Sequence, residues 1–147
     1  STVGSDKWHY KLNWFERFFS YLESSFDPDE PIALCGDFNI APDDADVAKP
    51  EAWRNSVLCH RDVRDWFERL VDWGFVDTFR KHNPDGGVFS WWDYRQLAFP
   101  KGDGLRIDLV LTTESVDETS LTAWVDRNER KGKQPSDHAP VVVELDW

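Results

Sequence analysis

The stretch Gly104-Leu105-Arg106-Ile107-Asp108-Leu109-Val110-Leu111-Thr112 decides how this chain is built. It follows the turn Lys101-Gly102-Asp103-Gly104 and is apolar over most of its length, with Ile, Val and Thr among its residues, so it predicts a core strand over 105–112. In extended backbone Arg106, Asp108 and Val110 face one way, and Ile107, Leu109 and Leu111 the other. An acid inside so apolar a run needs a partner, because an unpaired buried carboxylate is strongly disfavoured. One imidazole is well situated to serve. His138 lies in Pro135-Ser136-Asp137-His138-Ala139-Pro140, fenced by prolines and followed by the strand-like Val141-Val142-Val143-Glu144-Leu145. An aspartate that orients an imidazole and favours its charged form is a recurrent catalytic device. Two other readings of Asp108 stay open at this point: a strand-end acid facing solvent, or a salt bridge with Arg106.

Outward from this strand the chain alternates helix-like and strand-like segments. Trp8, Leu12, Phe15, Phe19, Leu22 and Phe26 fall on one face of a helix that must end before Asp27-Pro28. Ile32-Ala33-Leu34-Cys35 reads as a buried strand, with Cys35 a buried thiol. A long polar loop is expected from Ala41 to about Arg61. Asp62 then caps a second helix with Val63, Phe67, Leu70 and Val71 on its inner face and Gly74 at its end. Phe75–Phe79 reads as a strand or extended segment, Asn83–Gly87 as a turn, Phe89–Tyr94 as an extended aromatic segment, and Leu121–Val125 as a further strand. Such alternation indicates an α/β layer architecture.

Composition bounds what the chain can be. Its 147 residues suit one domain or part of one, and 9 Trp, 10 Phe and 3 Tyr supply an ample core. The net charge of −11 argues against broad nonspecific coating of nucleic acid, but not against an enzyme whose metal meets the phosphates. No apolar run approaches the roughly 20 residues of a membrane helix, and Ser1 to Tyr10 has no signal-peptide core. Two cysteines without metal-type spacing fit a reducing, cytoplasmic setting. The absence of Met suggests a lost initiator or a piece of something longer.

A second acidic position lies in Gly36-Asp37-Phe38-Asn39, just after the 32–35 strand. Asp37 and Asn39 face the same side in extended backbone and offer a carboxylate and a neutral amide, suited to activating a water and holding an oxyanion; an ordinary turn is the alternative. Acids, an Asn and a His at strand ends suggest a metal-assisted phosphoryl site for Mg²⁺ or Mn²⁺. No Gly-rich phosphate loop competes, and scattered histidines disfavour zinc. In Phe89-Ser90-Trp91-Trp92-Asp93-Tyr94-Arg95 the aromatics next to an Arg could stack on a base or sugar and hold a phosphate, or could simply pack in the core. Alternation puts Phe89, Trp91 and Asp93 on one face, Trp92 and Tyr94 on the other.

Taken together, Gly36-Asp37-Phe38-Asn39, Trp73-Gly74-Phe75-Val76-Asp77-Thr78-Phe79-Arg80, Phe89–Arg95, Gly104–Asp108 and Pro135–Pro140 resemble the exonuclease III / apurinic-apyrimidinic endonuclease family of the endonuclease/exonuclease/phosphatase superfamily. The resemblance implies an α/β fold, half of a four-layer sandwich with one mixed, mainly antiparallel sheet and helices on one face. It implies that Asp37 polarises or deprotonates the attacking water and that Asn39 orients it. Asp108 would pair with His138, which stabilises charge on the phosphoryl oxygens. Asp137, with Asp37 and Asn39, would hold Mg²⁺ or Mn²⁺. Trp91 and Leu105 would line the pocket for a sugar lacking its base, and Arg95 would sit near the DNA backbone. The expected substrate is DNA: duplex, abasic sites and 3′ ends.

The chain departs from the family by lacking the first half of the domain, with its metal-binding Glu, early Asn and Tyr. Residues 1–147 are therefore expected to be the C-terminal half, weakly active or inactive alone and prone to self-association through the uncovered sheet face. The rivals are a superfamily enzyme acting on inositol or lipid phosphates, which would not need the aromatic pocket, and a catalytically dead interaction module, which would bind no metal near Asp37 and Asp137.

Overall fold

The computed structural model describes residues 1–147. In chain order the elements are α1 (Asp6–Ser25), β1 (Ala33–Asp37), α2 (Pro50–Trp53), α3 (Arg61–Trp73), β2 (Phe75–Asp77), α4 (Thr78–His82), α5 (Ala98–Lys101), β3 (Asp108–Thr113), α6 (Glu114–Asp117), β4 (Ser120–Val125) and β5 (Val141–Leu145). No helix is long and apolar enough to cross a membrane.

The first helix follows its apolar spacing. The Ser5 hydroxyl caps it by accepting from the Trp8 N–H at 3.3 Å, and Trp8, Phe15 and Leu22 are buried along one face. They pack with Val63, Phe67 and Leu70 of α3 and with Leu109 and Leu111 of β3 in the largest core cluster. The cap of α3 is His60 rather than Asp62: its Nδ1 accepts from the Asp62 N–H at 3.1 Å. A neutral imidazole nitrogen can serve the same orphan donor as a carboxylate. Gly74 ends α3 with φ 144°, and a Cβ there would lie 2.6 Å from the Pro28 Cβ, so both conformation and space require glycine.

All ladders are antiparallel. One sheet runs β1-β3-β2, and β4-β5 form a second, so the strands divide into two small sheets where one mixed sheet was anticipated. β3 is the central strand of the first, and β4 and β5, successive in sequence, pair antiparallel without needing a crossover.

Three local expectations are corrected. Cys35 is exposed and Cys59 is the buried thiol, because Leu34 turns to the main core and Cys35, the next residue, faces the open cleft with Asp37. The 41–61 segment is not merely a polar loop: Ala41, Val47, Leu58 and Cys59 pack with Leu105 and Ile107 in a second core cluster. The strand at Phe75 stops at Asp77, whose carboxylate accepts from the Arg80 N–H and starts α4.

Asp77 also belongs to the ion network that holds the base of β3. The Arg106 guanidinium is fully buried; it donates to Asp46 at 2.7 Å and, as a fork, to both oxygens of Asp77 at 3.0 and 2.7 Å. Asp46 receives Arg80 as well. This accounts for a charged residue one step from Ile107: Arg106 turns to a distant loop and to β2, not to Asp108.

Candidate active site

The strand register assembles the acids. Asp37 is the Cα partner of Asp108 across the β1–β3 ladder. Directly opposed residues in an antiparallel pair share a face, so the two carboxylates stand side by side at the end of the sheet. His138 reaches the same face. Its Nδ1 is 2.8 Å from the Asp108 Oδ2, while its Nε2 lies 3.8 Å from the Asp37 Oδ2 and 3.9 Å from the Asp137 Oδ1. The ring is tied at one nitrogen and presents the other between two carboxylates. An open cleft of about 520 Å³ runs past Asp37, Asp108, Ser136, His138 and Pro140.

What holds His138 there is the Phe89–Trp92 segment, threaded between β3 and the 135–140 run. Trp91 makes backbone bridges to both Leu105 and His138. The Trp92 N–H donates to the Asp137 carbonyl at 3.0 Å, and the Ala139 N–H to the Ser90 carbonyl at 2.8 Å. The Ser90 hydroxyl, fully buried, accepts from the N–H groups of Ile107 and Asp108, each at 3.1 Å. One serine therefore binds the strand of the acid to the segment of the imidazole.

Trp91 also donates from Nε1 to the Asp137 Oδ2 at 3.0 Å and packs edge-on against Trp53 at 5.8 Å. Leu105, expected to line the sugar pocket with Trp91, is instead fully buried, bridged to Val47 and Trp91, and presents no surface to the cleft. Trp92 faces the core at 1 % exposure, and Tyr94 is exposed. Arg95 stands apart from the acidic group: it is exposed and grips Asp93 through Nε and Nη2. Asn39 follows β1 in the left-handed region, φ 51°, with its N–H donating to the Asp37 Oδ1 at 2.9 Å.

Charge explains the ionisation of the group. Burial raises the Asp37 carboxyl above its ordinary range and the Asp108 charge adds to this, against the Asn39 N–H, His138 and Lys11. His138 is pulled down by burial, but the hydrogen bond and charge of Asp108, with Asp37 and Asp137, carry it above the ordinary imidazole value. Burial lowers the Lys11 ammonium to about 8, opposed by Asp37.

The donor set suits a divalent cation. One ligand atom each from Asp37, Asp108 and His138 lies within 4.8 Å of the others. Two carboxylate oxygens beside an imidazole nitrogen are a donor set that can hold a divalent cation. Of the expected metal ligands, Asp37 is in this group. Asp137 borders it, with one oxygen engaged by Trp91.

Two participants escaped sequence reading. Ser90 sits inside a quoted motif, yet nothing local distinguishes a buried bridging serine from a turn serine. Lys11 lies on the flank of α1, where a lysine ordinarily signals a solvated helix surface.

A model of the Endonuclease/Exonuclease/phosphatase family matches residues 2–138. Exodeoxyribonuclease III of Haemophilus influenzae is 36% identical over 141 residues, covering 88% of this chain and 53% of its own length. An exodeoxyribonuclease of Bacillus subtilis is 36% identical over 148 residues, covering 97% and 55%. Among solved structures, an AP endonuclease from Archaeoglobus fulgidus superposes with TM-score 0.95 at 35% identity, over 99% of this chain and 57% of that one. A 3′-5′ exonuclease from Neisseria meningitidis superposes with TM-score 0.94 at 38% identity, over 99% and 57%. The chain thus spans about half the length of the curated relatives it matches. With most of its length accounted for by one family model and its α/β fold shared with those neighbours, the chain belongs to the endonuclease/exonuclease/phosphatase family.

Proposed function

We propose that this chain carries the phosphoryl-transfer end of a DNA-repair nuclease, acting on duplex DNA at abasic sites and 3′ ends to leave a 3′-hydroxyl. The observation that carries this reading is the His138–Asp108 hydrogen bond of 2.8 Å with Asp37 directly across the ladder. The Asp37 carboxylate, raised in pKa by burial, takes the proton of the attacking water, since a base works best with a pKa nearer the working pH. Asn39 orients that water. Asp108 keeps the His138 imidazole charged and fixed, so that Nε2–H donates to the phosphoryl oxygens as their charge grows. Asp37, with Asp137 and Asn39 beside it, would hold Mg²⁺ or Mn²⁺, which supplies charge neutralisation at the phosphate. Trp91 offers an apolar wall for a sugar without a base, and Arg95 a cation for the DNA backbone.

Two features support the further reading that residues 1–147 are the C-terminal half of a larger domain. Relatives are nearly twice as long, and Trp14, Leu121 and Trp124 are exposed at 45%, 57% and 43%. Such apolar surface suits a covering partner, either the other half of the domain or a second copy. The free cysteines fit a reducing cytoplasm.

The test is incision of an abasic-site duplex by the 147-residue chain with Mg²⁺ or Mn²⁺. Slow metal-dependent incision, or none, is the expected result, and any incision is lost in D37N and in H138N. Incision at rates typical of an efficient enzyme, on the order of 10 s⁻¹ or more, overturns the half-domain reading. Measurable metal-dependent incision that persists undiminished in D37N overturns the assignment of the site.

A further inference from the structure

We propose that Lys11 is a positioning residue for the Asp37–Asn39 pair, its ammonium tying the Asn39 carbonyl to the Val57 carbonyl. This rests on the reading of Asp37 and Asn39 given above.

Nothing in the proposed chemistry uses Lys11, yet it sits at the seam of the site. Its Nζ donates to the Asn39 carbonyl at 2.6 Å and to the Val57 carbonyl at 2.7 Å. These oxygens belong to different loops, the one leaving β1 and the one preceding α3. They meet again two residues on, where the Ala41 N–H donates to the Leu58 carbonyl at 2.9 Å. Lys11 itself comes from α1, so three separate parts of the chain converge on one ammonium.

The loop leaving β1 needs such support. Asn39 has φ 51°, a conformation that costs a non-glycine residue energy even though Asn tolerates it best, and that persists where the surroundings over-determine it. Its N–H is held by the Asp37 carboxylate, and its carbonyl by Lys11. The peptide units on both sides of the Asn39 Cα are thus anchored, and so is the direction of its side chain relative to Asp37. Ile40, fully buried, fixes the exit. A lysine suits this task because an ammonium donates to several acceptors at once and strengthens each bond with its charge. Holding two groups in register is worth most when both must meet one reacting water.

The experiment compares wild type, K11M and K11R. Arginine can donate to both carbonyls; methionine fills the space and donates to neither. In K11M, amide hydrogen exchange at Asn39 and Ala41 should quicken at least tenfold while the amides of α3 and β3 stay within twofold. Incision kcat should fall at least tenfold with KM within twofold. K11R should return both readouts to within about threefold of wild type. Unchanged exchange at Asn39 and Ala41 in K11M overturns the proposal. So does quickening that spreads equally through α1, α3 and β3, which marks a general loss of stability. Incision by the wild-type chain that survives D37N counts against the proposed function, whereas the exchange measurement decides the role of Lys11 whether or not the chain cuts DNA.

Discussion

Removing one oxygen atom at Ser90 should cost this fold more than any other single-atom change near the site. Ser90→Ala deletes the acceptor of two N–H groups, those of Ile107 and Asp108, and leaves the Ser90 carbonyl bond to Ala139 in place. Ile107 is 2% exposed and Ser90 itself 0%, so water has little access to replace the hydroxyl. A buried donor left unpaired costs about 1–3 kcal/mol; the half-buried Asp108 amide belongs at the low end and the Ile107 amide higher, for a total of about 2–4 kcal/mol. With a urea slope of roughly 1.5–2 kcal/mol per M, the midpoint should fall by about 1–3 M. Urea titration followed by tryptophan fluorescence reads this directly, since Trp91 and Trp92 immediately follow the substitution. Ser136→Ala is the reference: its Oγ also accepts a backbone N–H, that of His138, but it is exposed, and the loss should stay below about 1 kcal/mol. A loss under ~0.5 kcal/mol in S90A would refute the reasoning, because it would mean that the two amides find other partners at no cost.

Three further outcomes follow from the geometry. His138 has a raised pKa, so its contribution to stability is complete below the ordinary imidazole value of 6.5 and disappears as pH rises through its higher folded value; NMR titration should find it above 6.5 and should find it lower in D108N, and titration at or below 6.5 in the wild type contradicts the assignment. Asp37 runs in the same sense, its raised pKa making ionisation a cost to folding at neutral pH, and D37N should therefore be at least as stable as wild type by urea titration at pH 7. Arg106→Met should destabilise by about 3–5 kcal/mol, because Asp77 and Asp46 are left buried with one cation, Arg80, where there were two; a thermal scan in which the variant keeps its midpoint would exclude that.

The parts of the fold legible in the sequence are those whose cause is local. The α1 face follows from helical spacing and β3 from its apolar run, although β3 begins at Asp108, since Leu105 only bridges Val47 and Trp91. An acid in an apolar strand suggests His138 as partner, with solvent or Arg106 as open alternatives, and the 2.8 Å contact decides among them. What escaped depends on contacts between distant residues. Cys35 looks buried by its neighbours, but burial depends on which face of the sheet is covered, and no run of residues declares that. The 41–61 segment reads as polar because Asp46 does, yet Asp46 is 1% exposed on account of an arginine sixty residues away. Asp108 is a possible partner for Arg106 by sequence, but Arg106 bonds Asp77 and Asp46 in other segments.

The register of β1 on β3 has a kinetic meaning. Asp37 faces Asp108 because Ala33 faces Thr112 and every residue between keeps step. A slip of one residue would turn the side chains of β1 to the opposite face and take Asp37 away from Asp108 together with the apolar set. Chemistry and strand pairing are thus checked by the same event. A misregistered molecule is silent, not slow, and during refolding the earliest detectable activity should rise with β1–β3 pairing and with no phase before it.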